Sequence, residues 1–360
     1  MPSEADVITA FRWILGRVPE DGAARAFHAG LADEATLRAT LLASPEFAAG
    51  YAALNGERPR DAAVPERAAP GAGSPANRRA ESGARRGLTR YWRPAGPAPL
   101  PRATTEETAR LFADIAAAWQ AFGEDEPHYS VLTHEGFRQD RLETFRADFE
   151  ASADEDAALI DDARDRVAAH LGRGVEDGHG TCLELGAGVG RVTRRLAARF
   201  AAVEAVDISA AHLAVAVAEL TRAGIANVGF HRLATPGDLA LLPAADFAYC
   251  RLVLQHNPPP VQAAMIAGLL GALRPGGAAL FQTVSRIEGY AWDAAADAAE
   301  RASRRETEAA ARMEMHALAQ GDVFRLIAEA GCEPLEVDRD TATGDDPGYL
   351  SHMYLAVRPS

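Results

Sequence analysis

The sequence predicts an α/β fold: a mostly parallel sheet with helices on both faces, behind a small all-α N-terminal unit. Three observations predict it. Strand and helix patterns alternate from Thr181 onward, which implies parallel strands joined by right-handed crossovers. The first strand runs into Gly186-Ala187-Gly188-Val189-Gly190, a turn with glycine at every second position. A helical pattern follows at once, with Val192, Leu196 and Phe200 on one face. The last two strands are separated by a turn-rich loop, Thr343-Gly344-Asp345-Asp346-Pro347-Gly348, which makes the final strand antiparallel.

Composition bounds the function classes. The chain has 360 residues, 48% of them hydrophobic and 24% charged, which is globular and long enough for one large domain or two. Its formal net charge of -14 argues against a general nucleic-acid binder held by phosphate contacts. All 37 basic side chains are arginine. The start, Met1-Pro2-Ser3-Glu4, lacks the basic and apolar regions of a signal peptide, and no apolar run reaches the length of a membrane span. A cytoplasmic protein is expected. Cys182, Cys250 and Cys332 are far apart with no C-x-x-C spacing, so buried reduced thiols are expected, with no metal site.

Four regions follow in order. Residues 1–55 read as a helical accessory domain. Ser3 is a good N-cap, and Val7, Ile8, Phe11, Ile14 and Leu15 make an apolar stripe at helical spacing. A third helix starts after Asp33 with Leu37, Leu41 and Leu42. Residues 56–103 are rich in Pro, Ala, Gly and Arg without periodicity and read as a flexible linker. Residues 104–172 form a helical lead-in and cap. Leu111, Phe112, Ile115 and Trp119 define one helix, residues 127–134 a polar and aromatic loop, and Leu159, Ile160, Ala163, Val167 and Leu171 a long helix. His128, Tyr129 and His134 are placed to line an acceptor site or to serve as surface and capping groups.

The sheet occupies residues 173–360. Strand 1 is Thr181–Leu185 and strand 2 Ala202–Asp207, ending in an acid about twenty residues after the first glycine, where it can accept both hydroxyls of a ribose. Ile208 can lie on an adenine face, and Ser209 caps the next helix. Strand 3 is Val228–Leu233. Asp238 beyond it is either near an adenine amine or a helix cap. Strand 4 is Phe247–Cys250, strand 5 Ala278–Val284, and the closing strands are Glu333–Asp338 and His352–Val357. An insertion from Arg286 to Gln320 carries Tyr290, Trp292 and His316.

Two ligand classes use a strand–glycine turn–helix unit. A dinucleotide fingerprint wants a small residue at the sixth position of G-x-G-x-x-G, and here that position is Arg191. Instead, Leu183 to Gly190, Val206-Asp207-Ile208-Ser209, Leu254-Gln255-His256-Asn257 and Leu273-Arg274-Pro275-Gly276-Gly277 resemble the motifs of bacterial class I S-adenosylmethionine-dependent methyltransferases. The resemblance covers residues from about 125 to 358. It implies a Rossmann-like seven-stranded methyltransferase sheet and S-adenosyl-L-methionine as cofactor. It implies that Glu184 helps hold the methionine ammonium, that Gly186, Ala187, Gly188 and Gly190 shape the loop beneath it, and that Asp207 and Ile208 take the ribose and adenine. Asp238 and Gln255 complete the donor set. His256 is the candidate catalytic base or orients the donor, and His128, Tyr129, His256, Tyr290 and His316 are the candidate acceptor-binding residues. Leu15-Gly16-Arg17-Val18-Pro19 and Ser44-Pro45-Glu46-Phe47 resemble a small helical domain of unknown function appended to surface-polysaccharide proteins. That likeness implies a glycan acceptor, O-methylation and a protein partner for the N-terminal domain. The competing functions are a non-catalytic interaction protein on the same fold and a nicotinamide-dependent oxidoreductase.

Overall fold

The computed structural model describes residues 103–172, 180–307, 311–342 and 348–360, with short pieces between 2 and 45. They fall into two units, Met1–Arg93 and Pro94–Ser360. In the first, α1 is Gly22–Ala29, and Val7, Phe11, Leu37 and Leu41 form a small buried cluster at the stripe positions. Asp33 accepts the Thr36 N–H at 2.7 Å, as a helix-capping side chain does. Ile8, Ile14, Leu15 and Leu42, and nearly all of the expected linker, lie outside the described residues.

The second unit begins with α2, Thr105–Asp125. Thr104 and Glu107 form a reciprocal capping box at its start. The expected loop at 127–134 is a helix for most of its length. Pro127 occupies the first turn, where its missing N–H costs nothing, and starts α3, Pro127–Val131. Two helices follow end to end, α4, Leu142–Ala151, and α5, Ala153–Leu171. Gly172 closes α5 in the left-handed region at φ +63.

Seven strands form one sheet in the order β3-β2-β1-β4-β5-β7-β6. These are β1 Thr181–Leu185, β2 Ala202–Asp207, β3 Val228–Arg232, β4 Ala245–Cys250, β5 Leu273–Ile287, β6 Glu333–Asp340 and β7 Tyr349–Val357. β1 through β5 are parallel, and β7 is antiparallel to both neighbours. The crossovers use α6, Thr193–Ala197; α7, Ala210–Arg222; and α8, Pro259–Gly271. The insertion holds α9, Ala294–Glu306, and α10, Gln320–Glu329, precedes β6. β5 outruns its apolar segment because β7 pairs with it out to Ile287 and β4 holds its start through Leu273.

The two faces of the sheet carry separate cores. Leu183 and Leu185 join Leu269, Phe281 and Ile327 on one face, while Cys182 joins Leu196, Val203 and Leu355 on the other. That is the period-two alternation of a strand buried on both sides. It also turns Glu184 to the same face as Cys182, at the carboxyl end of β1. All three cysteines are buried. No helix among the described residues is long and apolar enough to cross a membrane.

Candidate active site

The strand order reverses between β1 and β4, and the crossovers leave to opposite sides there. A cleft opens at the carboxyl ends of the strands, as it must at such a switch point. It measures about 940 Å³ with its mouth included. The loop after β1 forms one side. Gly186 and Ala187 both donate to the Val206 carbonyl, at 2.8 and 3.0 Å, and the Gly188 N–H donates to Asp207 Oδ2 at 2.8 Å. Gly186 and Gly188 have φ of +88 and +54. A Cβ at Gly186 would fall on the Val253 side chain, and one at Gly188 on that of Val131 in α3. Both conformation and space therefore require glycine.

Three carboxylates line the cleft, and two of them, Glu184 and Asp207, flank the glycine loop. Glu184 is 3% exposed and accepts the Thr193 hydroxyl at 2.5 Å. Burial pushes its carboxyl up to about 8, against that hydrogen bond and the more distant Arg191. Asp207 accepts the Ser209 N–H on its other oxygen at 2.8 Å. Burial raises it as well, opposed chiefly by His212. Neither carboxylate makes an ion pair among the described residues. His212 lines the same cleft. Its Nε2 meets the Ser130 hydroxyl at 2.8 Å, and its Nδ1 is buried without a partner.

The opposite wall is tied to the sheet by α5. Asp156, 2% exposed, accepts from Arg191 at 2.8 Å, Arg251 at 2.9 Å and the Tyr249 hydroxyl at 2.5 Å. Burial opposes its charge, but the two guanidiniums and the phenol hold the carboxyl below its ordinary range. Arg251 reaches on to Asp340 at 3.1 Å. The rest of the wall is apolar: Phe112 and Ile115 of α2, Leu233 and Met265. Leu252, after β4, sits at φ +60, an uncommon conformation for a branched residue. Its N–H is held by Gln282 Oε1 at 2.9 Å.

Of the residues expected from sequence, Glu184, Gly186, Ala187, Gly188, Asp207 and Ile208 converge on this cleft. Gly190 does not line it. A Cβ there would strike Leu220 and Ala216 of α7, so its task is helix packing. Asp238 spends its carboxylate on the Ala234 and Thr235 N–H groups, at 2.7 and 2.8 Å, which is the capping alternative. Gln255 is buried outside the cleft lining, and its carbonyl accepts the His316 N–H at 2.7 Å. His256 lines an adjoining cavity, with Nδ1 donating to the Glu314 carbonyl at 2.8 Å.

The expected acceptor residues are dispersed. His128 packs edge-on against Phe149 with ring centroids 5.0 Å apart, and burial lowers its imidazole to about 4. Tyr129 lies under the Arg138 guanidinium at 3.9 Å. Tyr290 and His316 share a 2.9 Å hydrogen bond in a third cavity, where His316 Nε2 also meets Glu314 at 3.0 Å. Asp156, Tyr249, Arg251, His212 and Asn257 line the donor cleft without having been singled out from sequence. Arg191 was read only as a misfit to a dinucleotide fingerprint, yet it lines the cleft and pairs with Asp156.

Residues 182–277, which span the glycine loop, β2 and the first residues of β5, match the family described as a methyltransferase domain. This segment carries a methyltransferase domain of the S-adenosylmethionine-dependent kind. S-adenosylmethionine is its cofactor, and the cleft suits it. The cleft holds two buried carboxylates, Glu184 and Asp207, that make no ion pair among the described residues, beside a loop that requires glycine. This methyltransferase domain is similar in structure to the magnesium protoporphyrin IX methyltransferase of Synechocystis with bound S-adenosylhomocysteine. The identity is 17%, the TM-score 0.45, and the match covers 69% of this chain and 99% of that one. It is also similar to the N-methyltransferase NodS of Bradyrhizobium japonicum, at 14% identity and a TM-score of 0.42, covering 69% and 100%. A third is the [4+2]-cyclase SpnF, at 16% identity and a TM-score of 0.41, covering 72% and 98%. No curated protein sequence matches the chain.

Proposed function

We propose that this enzyme methylates a hydroxyl of a small-molecule or sugar acceptor, with His256 as the proton acceptor. The observation that carries the donor side is the pair of buried carboxylates, Glu184 and Asp207, around the glycine loop without a cation of their own. Glu184 would face the ammonium, Asp207 the ribose hydroxyls, and Ile208 the adenine ring. When bound, S-adenosylmethionine supplies a methyl group on a positively charged sulfur, which keeps the electron pair of the broken bond. What remains for the chain is alignment, exclusion of water and disposal of one proton. Phe112, Ile115 and Met265 keep the cleft apolar.

His256 supports the second part of the reading. Its Nδ1–H is committed to the Glu314 carbonyl, which leaves Nε2 as the basic nitrogen. Burial holds the imidazole below its ordinary value, so it is neutral and able to accept a proton at pH 7. The sugar alternative and its place in surface polysaccharide rest on the likeness of residues 15–19 and 44–47, most of which lie outside the described residues. Calorimetry with S-adenosylmethionine, S-adenosylhomocysteine and NAD tests the donor assignment. Binding of the first two without the third is expected, and binding of NAD alone would overturn it. Against an acceptor that turns over, His256→Gln should lower kcat and remove the acidic limb of its pH profile. An unchanged profile would exclude the base role.

A further inference from the structure

A second cavity of about 970 Å³, mouth included, adjoins the donor cleft. The two share a wall made by Ile115 and Trp119 of α2. The Trp119 ring centroid lies 6.0 Å from that of His212, in the donor cleft, and 5.4 Å from that of His256, in the second cavity. From this partition α2 continues along the second cavity as Ala117, Ala118 and Ala121, and Ala311 adds to the apolar surface.

The charged groups of this cavity cancel. Its described lining carries four arginines, each paired. Arg305 holds Asp114 through two nitrogens, at 3.1 and 2.7 Å. Arg301 lies between Asp297 at 2.9 Å and Glu314 at 2.6 Å. Glu314 also meets Arg304 at 3.4 Å, and Arg312 meets Glu300 at 2.7 Å. Burial opposes the charge of Glu314, yet His316 and Arg301 hold its carboxyl down to about 2, so it is an anion at neutral pH. Asp114, Asp297, Glu300 and Glu314 thus balance the four guanidiniums.

That balance discriminates between ligands. A charged molecule entering the cavity sheds part of its hydration and meets no net counter-charge. To engage one arginine or one carboxylate it must also take that group from its partner. An uncharged molecule carries neither cost. It can lay an apolar body against the alanines and the indole and keep a hydroxyl for the polar groups around it.

Resting on the donor reading above, we infer that the second cavity is the acceptor site and that it selects an uncharged hydroxyl compound with an apolar body. The hydroxyl lies at the end of the cavity where Trp119 and His256 stand, beside the donor cleft. The body lies along Ala118 and Ala121. Carboxylates, phosphates and amines of the same size are turned away by the paired lining.

The test uses the full chain saturated with S-adenosylhomocysteine and two matched sets of probes. One is cinnamyl alcohol, cinnamate and cinnamylamine; the other is cyclohexylmethanol with its acid and amine. Saturation-transfer NMR titrations read binding. In at least one set the alcohol should bind about tenfold or more tightly than its acid and amine. Ala118→Phe and Ala121→Phe fill the apolar side and should each weaken the alcohol about tenfold, with S-adenosylhomocysteine binding unchanged. Ala121 is exposed, so the second variant leaves the core packing intact. Asp114→Asn removes one anion from the balance and leaves Arg305 without its charge partner. The acid should then bind about tenfold more tightly and the amine should not. An acid or amine preferred in the wild type, no alcohol bound, an alcohol unmoved by both phenylalanine variants, or no gain for the acid in Asp114→Asn would overturn the inference while the donor reading stands. Failure of the wild-type chain to bind S-adenosylhomocysteine would remove the donor reading, and this inference with it.

Discussion

Glu184 should make the stability of this protein and its grip on the donor depend on pH in opposite senses. Burial raises its carboxyl from 4.5 to about 8, so the donor-free folded chain keeps a proton that the unfolded chain loses. Between those two values the native state binds more protons, and stability therefore falls as pH rises. The contribution is complete below about pH 4.5 and lost above about pH 8. Over a gap of roughly 3.5 pH units, at about 1.4 kcal/mol each, ionising Glu184 costs up to about 5 kcal/mol.

Glu184→Gln keeps the size of the side chain and an oxygen for the Thr193 hydroxyl, and it cannot ionise. Urea unfolding followed by circular dichroism between pH 5 and 9 should show the variant gaining on the wild type as pH rises, toward that limit. Donor binding should do the reverse. A cationic ligand favours the ionised carboxyl, so wild-type affinity should climb about tenfold per pH unit below pH 8. Calorimetry in buffers of different ionisation enthalpy should record a released proton, which Glu184→Gln abolishes along with much of the affinity. Parallel stability curves together with no proton release would refute the reasoning.

Four further outcomes are expected. Asp207→Ala removes the acceptor for the Gly188 and Ser209 N–H groups as well as a donor contact. Calorimetry should find S-adenosylmethionine weaker by roughly 2–4 kcal/mol, and unfolding should be easier by about 1–3 kcal/mol. Gly188→Val puts a branched side chain at φ +54 and against Val131, so donor binding should vanish while circular dichroism stays near native; retained binding would mean the turn tolerates the change. Asp156→Asn removes the carboxylate charge that Arg191 and Arg251 share and leaves Arg251 its pairs with Glu155 and Asp340, and thermal unfolding should show a loss of about 3–5 kcal/mol. A chain starting at Ala103 should fold cooperatively and bind S-adenosylmethionine as tightly as the full chain, since among the described residues both large cores draw on positions from 111 onward; aggregation would show that the preceding residues belong to the catalytic unit.

Local chemistry was legible in the sequence. The apolar run from Cys182 to Leu185, with Glu184 embedded in it, specifies a buried strand, and glycine at 186, 188 and 190 specifies a turn that favours glycine. Leu273 to Gly277 marked the start of β5, as the irregular first part of the strand, and an acid at the end of β2 marked one side of the cleft. These signals lie within one element and its turn, so periodicity and turn chemistry carry them. Tertiary packing decided the rest. Gly190 has the same backbone conformation as Gly186 and Gly188, yet it faces α7 and not the ligand, because only the loop's path across the helix says which glycine meets what. Asp156 lies in a helix, 25 residues before the start of β1, and has no motif around it. It becomes the anchor of the cleft because α5 crosses the strand ends where Arg191, Tyr249 and Arg251 emerge. His256 follows β4 as expected, but the Glu314 carbonyl turns its ring into the second cavity and Trp119 stands between it and the donor cleft. The sequence determined the sheet, the loop and the donor's chemical class, because those depend on neighbours along the chain. Which side chains share a wall depended on contacts such as those of Asp156 and His256, between residues 35 to 95 positions apart, and those exist only once the sheet and its helices have packed.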